Sequence, residues 1–341
     1  MKAVRLFGPH DLRLVQEEAP TCKANEVLLR VRAVTVCHSD IHYYRDGRIG
    51  DTVSKVPLIL GHEFCGEVLQ VPAGLDELHI GDLVAVEPAI SCGYCHSCRE
   101  GNPNICENLL FSGTPPLDGA LREYIPYRPE FCFPLPQDFT AEEGALLEPL
   151  GVALYAWDLG HLRVAESVAI IGCGPIGLLL VQLAKIAGAS QALAVEPLAF
   201  RRDLAALWGG IPLAPDEHLE QQVATLTDGR GVDLVIETAG TLPAQEEAIR
   251  LVKRGGKVLL VGIPAEDRIE LTHHTARRKD LEIHVVRRMK HTYPRAITLV
   301  QRGMIDLRPL ITHRFPLECA AEAFQIVGDY ADGVIKAAII P

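Results

Sequence analysis

Between residues 27 and 33, apolar Val27, Leu29, Val31 and Ala33 alternate with Leu28, Arg30 and Arg32, the period-two pattern of a half-buried strand. Glycine and proline interrupt every short stretch up to about residue 150, so residues 1–150 read as a β-rich domain. The rhythm changes at Ser167. Residues 168–171 predict a strand, and Ile176, Leu179, Leu180, Leu183, Ala184 and Ala187 then recur at helical spacing. Residues 192–195 predict a second strand. Residues 232–236 and 257–261 predict two more, with a helical stretch over 243–253 between them. Strand and helix alternating in this way build a doubly wound parallel sheet, so 151–288 reads as an α/β domain. Beyond Arg288 the spacing turns irregular around Pro294, Pro309 and Pro316, and residues 289–341 are expected to return to the first domain.

A chain of 341 residues can bury two cores without disulfide staples. Its 33 Lys and Arg against 44 Asp and Glu leave a net charge of −11, the wrong sign for gathering a phosphate backbone or an anionic membrane surface, so no nucleic-acid partner is expected. The most apolar stretch, 168–181, is cut by Gly172, Gly174, Pro175 and Gly177 and is too short for a membrane span. Charges at Lys2 and Arg5 stand where an export signal needs apolar residues. A cytoplasmic location is therefore expected, where ten cysteines stay reduced and a tight group of them points to metal.

Gly172-Cys173-Gly174-Pro175-Ile176-Gly177 follows a predicted strand and opens an amphipathic helix, the context in which this glycine pattern carries a dinucleotide pyrophosphate on a helix N-terminus. Nineteen residues after Gly177, Glu196 ends the next predicted strand. A carboxylate there accepts from ribose hydroxyls and repels a 2′-phosphate, which favours NAD over NADP, whereas Arg201 or Arg202 could accommodate that phosphate.

Cys92, Cys95, Cys98 and Cys106 form a C-x2-C-x2-C-x7-C array. Four thiolates saturate a tetrahedral ion, so a zinc here would be structural. An iron–sulfur run has its fourth cysteine three residues on, followed by proline; here the gap is seven and Glu107 follows. His96 inside the loop reads as a bystander. A more dispersed set, Cys37, His62, Glu63 and Glu148, offers a thiol, an imidazole and carboxylates, the donors of a zinc that keeps one position open. Glu148 stands among leucines, where a carboxylate is costly unless it is paired or faces a cation.

In this order the motifs resemble the zinc-containing medium-chain dehydrogenase/reductase family over essentially the whole chain. Within it they are most similar to the sorbitol (polyol) dehydrogenases, through Gly47-Arg48-Ile49-Gly50, Gly61-His62-Glu63, Thr114-Pro115-Pro116-Leu117-Asp118-Gly119, 143–150 and 312–318. The resemblance implies a GroES-like catalytic domain, a Rossmann domain, one catalytic and one structural zinc, and NAD. It implies Cys37 and His62 as ligands, Glu63 and Glu148 completing the sphere directly or through water, and Asp40 orienting His62. Ser39 and His42 would relay the hydroxyl proton. Thr238-Ala239-Gly240 and Val261-Gly262-Ile263 would line the nicotinamide, and Phe111, Thr114, Arg288 and Met289 the substrate. The activity implied is reversible oxidation of a secondary hydroxyl of a polyol to a ketose, in a homotetramer or homodimer. Two positions depart from the polyol pattern: Met289 replaces a tyrosine and His38 a glycine. An L-threonine 3-dehydrogenase, another zinc alcohol dehydrogenase and a catalytically silent NAD-binding protein are the alternatives. Ser39 in place of threonine and the Gly47–Gly50 run weigh against the first, and intact Cys37, His62 and Ser39 against the last.

Overall fold

The computed structural model describes residues 1–54, 57–265 and 268–341. Two compact units emerge, one formed by Met1–Pro149 with Lys290–Pro341 and the other by Leu150–Met289.

The first unit is organised by a seven-stranded sheet ordered Cys132–Pro134, Leu83–Val86, Glu63–Gln70, Val27–Thr35, Lys336–Ile340 and Ile311–Pro316, with Tyr124–Tyr127 also pairing along Val27–Thr35. The strand predicted from 27–33 runs on to Thr35, but the alternation ends at Ala33, after which Val34 and Thr35 are buried as well; Glu63–Gln70, Lys336–Ile340 and Tyr124–Tyr127 all pair with it. Its core gathers Val4, Leu29, Val31, Phe64, Ile125, Phe324 and Ile339, so apolar residues from both ends of the chain share one interior. The strand register brings three positions together at one end of the sheet: Thr35 stands opposite Glu63, and Ala338 faces Thr35 from the other side.

Besides the short helix His96–Arg99, two longer helices interrupt the β-rich region that the pattern predicts. His38–Asp46 starts from an extended Cys37 and stops at Gly47, whose left-handed φ of 67° returns its N–H to the Tyr43 carbonyl. Ala141–Gly160 is opened by a reciprocal box in which Thr140 N donates to Glu143 at 2.9 Å and Glu143 N donates to Thr140 Oγ1 at 3.2 Å. The T-x-x-E spacing is present in the sequence, but the apolar residues behind it lie all round the helix and leave no one-sided stripe to read. The last fifty residues are also more regular than their prolines suggest. Pro294 opens the helix Tyr293–Gln301, Pro309 lies in the 3₁₀ turn Arg308–Leu310, and Pro316 ends a strand, so these prolines mark element boundaries.

The second unit is a six-stranded parallel sheet ordered Ile211–Leu213, Gln191–Val195, Ser167–Ile171, Val232–Glu237, Val252–Leu260 and Glu282–Val285. Numbered within the unit this is 3-2-1-4-5-6, whose direction reverses beside Ser167–Ile171. The helix predicted over 243–253 is Leu242–Leu251, and the strand after it begins at Val252, five residues early. Its pairing shifts register between Val232 and Leu234. Among the described residues no helix is long and apolar enough to cross a membrane.

Candidate metal centres and cofactor site

Cys37 caps the helix His38–Asp46, and Glu63 begins the strand beside Val27–Thr35, with His62 immediately before it. One ligand atom each from Cys37, His62 and Glu63 lies within 4.8 Å of the others. Asp40 ties the arrangement together: its Oδ2 accepts from Cys37 N at 3.3 Å and its Oδ1 pairs with His62 Nδ1 at 3.2 Å. That leaves Nε2 as the ring's ligating atom. Burial alone would lower the pKa of His62, but the Asp40 carboxylate and the Cys37 thiol hold it well above its ordinary value. Ser39 Oγ donates to Cys37 Sγ at 3.2 Å. His42, one turn further along the same helix, has Nδ1 3.6 Å from Asp46 Oδ2.

Lys336 completes this centre, and the motifs did not include it. Only 3% exposed, it donates to Val36 O at 3.0 Å and to Glu63 Oε1 at 2.6 Å, while Thr35 Oγ1 donates to Glu63 Oε2. Burial would lower the Lys336 pKa, yet Glu63, Cys37 and Glu148 together raise it. Glu148 is buried in the helix Ala141–Gly160 and bears electrostatically on Lys336 and Tyr293. It is not part of the three-residue group of ligand atoms. The signal for Lys336 was a cation inside the apolar run 334–340, the same signal that singled out Glu148.

The four cysteines of 92–106 also converge, with all sulfurs within 4.8 Å of one another. Cys95 and Cys106 Sγ stand 3.8 Å apart, close to the edge of a tetrahedron with arms of about 2.3 Å. Cys106 Sγ accepts from Cys92 N and Cys92 Sγ from Cys95 N, both at 3.3 Å. Against a desolvation that acts the other way, amide donation from Tyr94 and Cys95 brings the Cys92 thiol down to about 6, whereas desolvation and neighbouring sulfurs push Cys98 up to about 12. Four thiols at this spacing cannot all ionise without a cation, so the donor set fits zinc. His96 faces Glu100 at 3.2 Å and stays out of the cluster.

In the second unit Gly172 leaves its strand with φ of +90°, and a Cβ there would come within 2.9 Å of Ala239 N. A Cβ on Gly177 would collide with the Gly172 carbonyl. Gly174 caps the helix Pro175–Ile186 with no side-chain partner, and Pro175 occupies its first turn. The helix mouth is therefore bare backbone, as a pyrophosphate requires. Thr238 Oγ1 donates to Gly172 O at 2.7 Å and closes the loop from the neighbouring strand. Glu196, buried at the end of Gln191–Val195, accepts from Cys173 N at 2.7 Å and Leu198 N at 3.0 Å. Arg202 is turned onto the carbonyls of Glu196 and Pro197 at 2.6 and 2.7 Å, and Arg201 is buried with its guanidinium 5.6 Å from the Phe200 ring centroid.

Residues 23–137 match the alcohol dehydrogenase GroES-like domain, and residues 175–302 match the zinc-binding dehydrogenase domain. The sorbitol dehydrogenase of Bacillus subtilis is 36% identical over 100% of this chain and 97% of its own. The chain belongs to the zinc-containing medium-chain dehydrogenase/reductase family. It is a sorbitol-dehydrogenase-like polyol or alcohol dehydrogenase with a GroES-like and a Rossmann-type unit. Among solved structures, galactitol-1-phosphate dehydrogenase of Escherichia coli superposes with a TM-score of 0.91 at 30% identity, covering 100% of both chains. A zinc-binding dehydrogenase of Sinorhizobium meliloti bound to NADP gives 0.89 at 30% identity, over 100% of this chain and 99% of that one. Membership implies zinc and a nicotinamide cofactor.

The substrate candidates of this dehydrogenase divide between the units. Phe111 is half-buried with its ring 5.1 Å from that of His62, and Thr114 sits in the turn that closes with Leu117. Arg288, with a left-handed φ of 55°, and the buried Met289 belong to the second unit. Val261, Gly262 and Ile263 come directly after the strand Val252–Leu260, with Val261 N and Gly262 N both donating to Glu237 O.

Proposed function

We propose that this dehydrogenase is zinc- and NAD-dependent and oxidises a secondary hydroxyl of a polyol to the ketose reversibly. The observation that carries the proposal is the meeting of Cys37, His62 and Glu63, with the ligand atom of each within 4.8 Å of the others, beside a buried Lys336 that is bound to Glu63. When bound, zinc would supply Lewis acidity to a substrate hydroxyl and the nicotinamide would accept hydride. Cys37 and His62 are the donors not committed to a cation. Asp40 fixes the imidazole, and Glu63 would join the metal only in competition with Lys336 and Thr35. Ser39 and His42, three residues apart on one helix, present a hydroxyl and an imidazole on one face for carrying a proton outward. A second ion, held by Cys92, Cys95, Cys98 and Cys106, would be structural.

Glu196 supports NAD: its oxygens accept two amides and retain lone pairs for ribose hydroxyls, while Arg202 is spent on backbone carbonyls. The Bacillus subtilis and Escherichia coli relatives carry polyol names, and Thr114 and Glu148 in the first unit offer polar groups of the kind that a second substrate hydroxyl needs, with Arg288 in the second unit a further candidate. Ten free thiols support a reducing, cytoplasmic setting, and a homodimer or homotetramer is the assembly we infer. The test is kcat/KM for sorbitol, xylitol, shorter polyols, threonine and ethanol, each with NAD and NADP. A polyol with NAD should lead the panel, because sites built to pair a hydroxyl penalise analogues lacking it. Threonine or ethanol exceeding every polyol would overturn the substrate assignment, and equal use of NADP would overturn the cofactor assignment.

A further inference from the structure

Glu237 ends the strand Val232–Glu237 at the carboxyl edge of the parallel sheet and is wholly buried. Its Oε1 accepts from Gly240 N at 2.6 Å, while Oε2 has no hydrogen-bond partner among the described residues. The turn 238–240 that this carboxylate holds is fitted tightly on both sides. A Cβ on Gly172 would crowd Ala239 N, and a Cβ on Gly262 would strike Gly240 N. Three backbone segments thus meet at one carboxyl group: the loop at Gly172, the turn after Glu237, and 261–263, whose amides at Val261 and Gly262 both donate to the Glu237 carbonyl.

We propose that Glu237 is a positioning residue whose ionisation clamps the nicotinamide-lining turn, so that cofactor affinity rises as this buried carboxyl loses its proton. The inference rests on the NAD reading given above. A charged acceptor holds an amide roughly twice as strongly as a neutral one, so protonation loosens Gly240 and the two segments packed on it. Burial pushes Glu237 up to about 7, opposed by the amides of Gly240 and Ala239, with no charged side chain contributing. On the elements packed around it, Arg254 donates to Arg278 O and Lys279 to the carbonyls of Ile249, Arg250 and Val252. Asp233 pairs with Lys253, Lys257 with Glu282, and Arg250 with Glu220 and Glu246. Glu247 responds to Arg250 and Glu220.

This arrangement has a signature that a purely structural glutamate lacks. A carboxyl near 7 in the folded chain against 4.5 ordinarily contributes stability that is complete below about 4.5 and lost as pH rises through 7. Stability without cofactor should therefore fall, and cofactor affinity rise, over the same pH interval. The experiment is NADH titration by fluorescence with the zinc-loaded, full-length protein from pH 6 to 8, alongside the Tm of the cofactor-free form. Wild type should bind NADH about three- to tenfold more tightly at pH 8 than at pH 6, with its midpoint near 7, and Glu237→Gln should bind weakly with a flat profile and a smaller loss of Tm over that interval. A flat wild-type profile, or the wild-type rise retained in Glu237→Gln, overturns the inference. Should that variant not fold, Glu237→Asp serves: a displaced midpoint supports the clamp and an unchanged one contradicts it. No NADH binding at any pH would remove the cofactor reading itself, a result distinct from binding that ignores Glu237.

Discussion

Cys92, Cys95, Cys98 and Cys106 come from fifteen consecutive residues, and the Cys92 and Cys106 sulfurs accept from the amides of Cys95 and Cys92 and from Asn108. Cys37, His62, Glu63 and Lys336 come instead from at or just beyond the ends of three neighbouring strands, brought to one sheet end by the Thr35–Glu63 and Thr35–Ala338 register. The first cluster has four thiols that can all ionise together only with a cation among them. The second carries its own cation in Lys336. One centre should therefore depend on metal for its local fold, while the other should persist without metal and keep a reserve carboxylate.

The largest effect expected from that difference is at Cys98. Four-ligand zinc in small peptides contributes about 10–16 kcal/mol of apparent binding energy, so Cys98→Ala should release one zinc and open 92–106 to proteolysis. Metal analysis with limited digestion checks both, and an intact lobe lacking its ion would contradict the comparison. Next comes Lys336→Met, which abandons Glu63 in the interior. Breaking such a pair costs about 3–5 kcal/mol, measurable by denaturant unfolding of metal-free protein. The cost should shrink when zinc is present to take the carboxylate. An equal cost in both forms would show that Glu63 never serves the metal.

Ser39→Ala should slow turnover about 10²–10⁴-fold with zinc content and NADH binding unchanged; normal turnover would place the proton path elsewhere. The smallest effect lies in the second unit, where Glu196→Ala should narrow the NAD preference by about tenfold, ~1.4 kcal/mol. A preference that survives intact would transfer the discrimination to Arg201 or Arg202.

Legibility divides along the same line. The glycine loop and the four-cysteine array announce themselves because each is short, contiguous and governed by local geometry, the tight approach of Gly177 to Gly172 in one case and ligand spacing in the other. Lys336 is not legible in this way, since its meaning depends on a strand pairing some 300 residues away from Val36. Glu237 escapes for a related reason. It looks like the polar end of an ordinary strand, and only burial between Ile171 and Leu260 makes its charge matter. Glu148 is legible from its apolar neighbours, and the structure places it near Lys336 and Tyr293 rather than in the ligand triangle. The helix Ala141–Gly160 carries a visible capping box but no one-sided stripe, so its start is legible and its extent is not.

The central claim, two zinc centres of different construction in one chain, is tested most directly by elemental analysis of chelator-free protein and its single variants. Two zinc ions per chain are expected in the wild type, one in Cys37→Ala, one in Cys98→Ala and none in the double variant. A single zinc in the wild type, with Cys37→Ala unchanged, would contradict the account.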